Sequence, residues 1–514
     1  MSPSGISGTL TGSKTVRNNI IANLAGRVWA AFSSYLFVPF YLKLLGGEAY
    51  GLVGFFATLS AILMLADFGI SATLSRELAR VGAKDETQLE LGNIVRTFET
   101  IAAVCMISLG AATWLASPII STRWLNIADG SLASATLALQ LMSLALPLQL
   151  MSQLYTGGLM GRERQVEANL IQAGGGLARG LLTIAALVSF APTIEVYAAS
   201  QLVASSILCV VARRQLISSI PSRTRVRFSW QIASTTAKYS LAMGGMTCVS
   251  VLLTQMDKLI VSRSVSLEQL GHYTIAAMFA GVPKLFAVAI GAGAFPRMTA
   301  MVALGRDEEL RALYYRCSCV VAVLVVPVAI NLGVFADSYL SLWTRSHSVA
   351  DSAGIAALYM IVGETLQAVL LVPYYLALAY GAVGANLVLA LVSAVFLLPA
   401  LVLLVERCGI TGAGASWALV NVATLPVYIF YLHRRYRLGN PWRWYWGALV
   451  APAAVVTPIS ASAAAISKCA DDDAVGIVIP IGALVLSLAA CIGLVPEVRG
   501  AVLRIGRWVG KWVV

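Results

Sequence analysis

The sequence predicts an all-α polytopic membrane protein: two six-helix bundles related by a pseudo-two-fold axis along the membrane normal, then two extra C-terminal helices. Three observations carry that expectation. Fourteen apolar stretches of membrane-spanning length follow one another, Lys and Arg gather in alternate connections between them, and short sequence matches recur at a nearly constant offset. Composition agrees, because 59% of the 514 residues are hydrophobic and only 12% charged, with a mean hydropathy of +0.81. Soluble domains carry about 25% charged residues. No stretch is left over for a soluble domain.

A helical span needs ~20 mostly apolar residues, since hydrocarbon offers no water to backbone N–H and C=O groups. In order, the stretches run from Ile20 to Leu45, Tyr50 to Ile70, Ile94 to Ser117, Leu132 to Leu159, Val166 to Phe190, Ile194 to Val211 and Tyr239 to Val261. Then follow Tyr273 to Phe295, Leu313 to Phe335, Ile355 to Leu378, Val383 to Val405, Gly412 to Leu432, Tyr445 to Ile466 and Val475 to Leu494. The polar residues before Ile20, with Lys14 and Arg17, show no apolar run ending in a cleavage site, so no removable signal peptide is expected.

Basic residues orient the spans. With the N-terminus cytoplasmic, 25 of the 36 Lys and Arg fall in cytoplasmic segments and seven on the far side: Lys43, Arg123, Lys258, Arg263, Arg345, Arg407 and Lys468. Arg27, Arg179, Lys238 and Lys284 stay within or at the edges of spans. Both termini are therefore expected in the cytoplasm. The net charge of +12 follows from this dispersed distribution, which makes no continuous patch for nucleic acid.

The repeat sets the domain organisation. Glu48-Ala49-Tyr50-Gly51 precedes the second stretch and Glu268-Gln269-Leu270-Gly271 the eighth, 220 residues on. Ala168-Asn169-Leu170 enters the fifth and Ala385-Asn386-Leu387 the eleventh, 217 residues on. Six spans per unit return the chain to the same side, so the repeat is parallel. The expected divisions are an N-lobe over 1–219, a C-lobe over 220–437, and an appendage over 438–514. Within the appendage, Val498 to Val514 interleaves Arg504, Arg507 and Lys511 with Trp508 and Trp512, a basic helix suited to the cytoplasmic membrane surface.

The connections are too short to fold as a catalytic domain, and neither Gly175 to Gly180 nor Gly506 to Lys511 completes a phosphate-cradling loop. An enzyme is not expected. Eight cysteines without CxxC spacing read as apolar fillers, and His272, His347 and His433 lie too far apart to suggest a metal; no cofactor is expected.

A charge near the bilayer centre costs at least ~2.5–3.5 kcal/mol and persists mainly where it faces a partner, a cavity or water. Arg27, Arg179 and Lys284 are the candidates for binding an anionic cargo. For Arg27, snorkelling to the interface is the competing reading; for Arg179, pairing with an acid such as Glu99; for Lys284, a structural ion pair. The acidic candidates for ion coupling are Glu364, Glu99 and Asp257. Glu99 follows Arg96 by three positions, which also suits a local pair. Asp257 beside Lys258 also suits an interfacial anchor, and Asp67 reads as a local cap.

The stretch NNIIANLAGRVWAAFSSYLFVPFYLKLLGGEAYGLVGFFATLSAILMLADFGISATLSRELAR resembles the start of the polysaccharide transporter family. These are the Wzx-type flippases of the multidrug/oligosaccharidyl-lipid/polysaccharide (MOP) exporter superfamily. The turn from Gly46 to Gly51 and the run Ala66-Asp67-Phe68-Gly69 ahead of Arg76 and Arg80 carry the resemblance, and GGLMGRERQVEANL, TQMDKLIVSR and GHYTIA follow in order. It covers about residues 14–437. It implies two bundles alternating between inward-open and outward-open states and carrying undecaprenyl-pyrophosphate-linked oligosaccharide to the outer leaflet of the bacterial inner membrane, for O-antigen or exopolysaccharide. It also implies work beside a polysaccharide polymerase and a chain-length regulator, with membrane lipids the other partner. Two alternatives stay open: a cation-coupled multidrug (MATE-like) exporter, and a membrane glycan polymerase or ligase. Arg27 as the deep charge of the first span disfavours the exporter, and short outer connections disfavour the enzyme.

Overall fold

The computed structural model describes residues 29, 33–82, 88–220, 226–468 and 473–494. Among these residues the chain is all helix and turn, with one isolated bridge between Asn126 and Ser266. It forms two compact units, Met1–Gly271 and His272–Val514. The division falls at Gly271, so the long helix that opens the second sequence repeat belongs to the first unit.

The first unit holds α1 (Val38–Leu45), α2 (Gly47–Leu63), α3 (Ile70–Gly82), α4 (Gln88–Ile119), α5 (Leu132–Gly161), α6 (Gln165–Ser189), α7 (Ile194–Ser218) and α8 (Trp230–Ser264). Local chemistry sets their starts. Thr193 Oγ1 accepts from Val196 N and Ser229 Oγ from Ile232 N, each meeting an orphan donor in the first turn. Between α2 and α3, Phe68 takes a left-handed conformation, and Asp67 accepts from Ser71 N at 3.2 Å and Ser71 Oγ at 2.6 Å. Asp67 is thus the local cap its position suggests. Leu74, Leu78, Ile94, Phe98, Leu154 and Leu216 bury the core between α3, α4, α5 and α7.

The two copies of the repeated turn lie against one another in this unit. A Cβ added at Gly51 would stand 1.9 Å from Leu267 O, and one at Gly271 would stand 3.0 Å from Gly47 O. At Gly51 only glycine allows the backbones this close; at Gly271 a side chain would be tightly crowded.

The second unit follows from α9 (Leu267–Ala280), which crosses the division, with α10 (Val282–Ala303), α11 (Asp307–Val334), α12 (Ala336–Thr344), α13 (His347–Val369), α14 (Leu371–Ala379), α15 (Val383–Arg435), α16 (Pro441–Tyr445), α17 (Ala451–Lys468) and α18 (Asp473–Leu494). Its core packs Tyr314, Val321, Leu376, Ile429, Leu432 and Trp444.

Two sequence expectations change here, and a third holds. The stretch from Tyr273 to Phe295 is two helices, interrupted at Gly281 where Pro283 lacks the N–H for the helical ladder. The segment from Ala336 to Gly354, which the sequence leaves as a connection between two stretches on the far side, is mostly α12 and the start of α13, capped by Ser346 Oγ accepting from Val349 N. The stretches ending at Val405 and starting at Gly412 are separate helices, as expected, meeting at a sharp corner at Gly409 with φ 57° and ψ −137°; together they make up α15. Just after that corner, a Cβ at Gly412 would stand 1.9 Å from Leu404 O.

Nine helices among the described residues are long and apolar enough to cross a membrane; one, Asn386–Arg435, contains both stretches around Gly409. Gly47–Leu63 and Val478–Gly493 are shorter apolar helices. Side chains such as Leu115 and Phe190 stand 75% and 83% exposed, and water-facing surfaces do not carry so many apolar groups of this size. Lipid is their medium. The basic segment from Val498 to Val514 lies outside the described residues, as does Arg27.

Candidate functional site

In the second unit, Pro283 and Gly281 interrupt the helix immediately before Lys284, so Lys284 stands in the first turn of α10. Its ammonium donates to Glu364 Oε2 at 3.0 Å and also to Gln367 Oε1. Glu364 and Gln367 are one turn apart on α13 and so present to the same side. The Lys284 side chain is 32% exposed and that of Glu364 18%. The sequence reading assigned Lys284 to cargo binding and Glu364 to ion coupling; the fold makes one site of them.

This pair has a definite chemical capacity. A carboxylate and an amide oxygen hold the Lys284 Nζ oriented in a partly dry environment, where charge–charge attraction exceeds its value in water. An incoming anion with two or more charges competes with Glu364 for the same ammonium. Release of that anion is assisted by the carboxylate, which re-forms the pair.

In the first unit, Arg179 lies one turn before Thr183 on α6 and within electrostatic reach of Tyr197 and Tyr41. The two tyrosine rings meet edge to face at 5.4 Å between centroids. Thr183 Oγ1 donates to Arg179 O and accepts from Ser200 Oγ and Gln201 Nε2. Arg179 Nε is buried, with no hydrogen-bond partner among the described residues. A buried guanidinium nitrogen left open can receive an anionic or carbonyl oxygen.

Glu99 takes a different part. Its Oε1 accepts from Arg213 Nε at 2.6 Å and from the Tyr155 hydroxyl at 2.8 Å, and its Oε2 accepts from Arg96 Nη1 at 3.1 Å. The local pair with Arg96 is present, and Arg179 is not among its partners. With three donors from α4, α5 and α7, this carboxylate ties the bundle together. Sequence reasoning counted Arg213 with the cytoplasmic loop and did not single out Tyr155, Tyr41 or Tyr197. The available signal was Glu99 itself, an acid in an apolar run that requires more than one partner.

Asp257 is half-buried on α8, while the neighbouring Lys258 donates to Gln255 Oε1 at 3.2 Å. Arg27, the remaining cargo candidate, lies outside the described residues.

Residues 16–302 match the family described as polysaccharide biosynthesis protein. A Shigella flexneri chain that carries the name of an O-antigen transporter is 23% identical over 418 residues, covering 79% of this chain and 94% of its own. Among solved structures, the lipid II flippase MurJ in an inward closed conformation superposes with a TM-score of 0.66 at 11% identity, covering 91% of this chain and 97% of its own. An inward-facing multidrug resistance MATE family transporter of the MOP superfamily gives 0.63 at 15% identity, covering 82% and 94%. At these identities the structures establish the fold, and these relatives are transporters by name.

Proposed function

The chain belongs to the polysaccharide biosynthesis protein family, and from that premise we propose that it flips a polyprenyl-pyrophosphate-linked oligosaccharide from the cytoplasmic to the outer leaflet by alternating access. It is a multi-pass membrane transporter of MOP fold. The cargo, its direction, and cytoplasmic termini in a bacterial inner membrane are the proposed part.

The single observation that carries the reading is the Lys284–Glu364–Gln367 site in the helices of the second unit. A pyrophosphate cannot cross hydrocarbon unaided, and an ammonium in a low-dielectric cavity attracts it. Glu364 keeps the empty site neutral, so the protein pays no standing penalty for an isolated charge. Docking of pyrophosphate moves the ammonium's partner from carboxylate to cargo, and return of Glu364 favours release. Arg179 supplies a second open donor in the first unit. On this reading each unit contributes its own cationic group to recognition of the cargo.

The alternative of a cation-coupled exporter draws support from the MATE-like fold. Basic groups at both candidate sites favour an anionic cargo instead. Proteoliposomes loaded with undecaprenyl-pyrophosphate-linked sugar on one leaflet separate the readings: appearance of sugar on the opposite leaflet at a protein-dependent rate is expected. Efflux of organic cations with no lipid translocation would overturn the proposal.

A further inference from the structure

We propose that the C-terminal end of α15, together with α16, is a binding site for the phosphate headgroup of an anionic phospholipid, separate from the transport site. Phe430, Tyr431, Arg434 and Arg435 line an open recess of about 650 Å³. Both arginines are exposed and form no ion pair among the described residues. Arg435 lies 5.9 Å over the ring of Tyr436. From Arg407 to Ala470 the sequence contains no Asp or Glu, so nothing nearby in the chain compensates Arg434, Arg435, Arg437 and Arg443. The recess is an anion site by charge.

Its surroundings select a lipid. Leu419 and Val427, two turns apart, are 57% and 68% exposed, and Val427 leads on to Tyr431 and the arginines of α15 at helical spacing. An apolar stripe ending in two guanidinium groups complements an amphiphile, acyl chains along the helix and phosphate at its end. The depth is marked independently by aromatic side chains. Trp442 and Trp446 stand 66% and 63% exposed, and Trp442 meets Phe430 edge to face at 5.8 Å. Exposed tryptophans of this kind sit at headgroup level.

The platform is rigid. Asn440 Oδ1 caps α16 through Trp442 N, Pro441 opens it, and Tyr315 donates to Arg443 O at 3.2 Å while its ring lies 4.8 Å beneath the Arg443 guanidinium. His433 contributes geometry only. Its Nδ1 donates to Gly439 O, and its Nε2 shares a hydrogen bond with the Tyr314 hydroxyl at 3.2 Å.

The test uses the full chain in phosphatidylcholine nanodiscs doped with phosphatidylglycerol, with retained lipid read by native mass spectrometry. Wild type is expected to hold phosphatidylglycerol in preference to phosphatidylcholine. The double variant Arg434→Gln/Arg435→Gln should bind it about 10- to 30-fold more weakly, and Arg407→Gln, at the other end of the same hairpin, should leave it unchanged. Excess soluble glycerol phosphate should fail to displace the lipid. Equal retention by wild type and the double variant overturns the proposal, as does equal retention of phosphatidylcholine by wild type or displacement by glycerol phosphate. The readout is independent of flipping, so failure of the transport reading would leave it standing.

Discussion

Replacing Lys284 alone and replacing it together with Glu364 separates a docking cation from a structural ion pair. At 3.0 Å and an effective dielectric near 20, the gross attraction is roughly 5–6 kcal/mol before desolvation is subtracted. Removing one member of a fully buried pair costs about 3–5 kcal/mol, because the other charge is left uncompensated. With side chains 32% and 18% exposed, screening lowers the expected cost of Lys284→Met to about 1–3 kcal/mol. The double variant Lys284→Met/Glu364→Leu removes both charges at similar volume and should return to within about 1 kcal/mol of wild type. Urea-dependent unfolding in detergent measures the stability arm, and the proteoliposome assay measures flipping. Docking predicts that flipping stays lost in the double variant although stability is recovered. A double variant that flips at the wild-type rate refutes the role of Lys284, and one as unstable as the single variant refutes the ion-pair account of its stability.

Glu364→Gln removes the competitor but keeps an acceptor, so cargo should bind several-fold more tightly and turn over more slowly, read as KM and kcat falling together. For topology, a reporter active only outside the cell should be active after Asp472 and silent after Arg435; the reverse pattern would invert the orientation. Arg213→Ala withdraws one of three donors from Glu99, and with Arg213 45% exposed the loss should be about 1–2 kcal/mol, checked as lower Tm with Arg96→Ala as the milder comparison. Gly51→Ala forces a methyl onto Leu267 O and should destabilise by at least about 1–3 kcal/mol, visible as reduced folded protein in a size-exclusion profile.

Local chemistry was legible in the sequence and chemistry between helices was not. Asp67 as a cap and Arg96 beside Glu99 depend on spacings of four and three residues, which helical geometry fixes in advance. Lys284 and Glu364 are 80 residues apart, and nothing in either span says which face meets which. Each was recognised as an expensive charge in hydrocarbon, yet their union follows from how α13 packs on α10. Hydropathy located the apolar stretches but smoothed over the break at Gly281, since Val282 and Pro283 keep the run apolar. The same smoothing hid α12, whose Tyr, Leu and Trp residues mix with polar ones in what read as an outer connection.

The corner at Gly409 bears on how the chain is made. The residue bends α15 with Gly412 pressed on the Leu404 carbonyl, so almost no slack separates the helix before the corner from the helix after it. During synthesis the first of them cannot settle across the bilayer and wait, because the turn would have to be drawn through hydrocarbon with its backbone groups unsatisfied. With the cytoplasmic termini proposed above, the two are expected to leave the insertion machinery as a single hairpin, carrying Glu406 and Arg407 across at its tip. A lengthened turn at this position would uncouple the two insertions, and with them the order in which the C-terminal half acquires its topology.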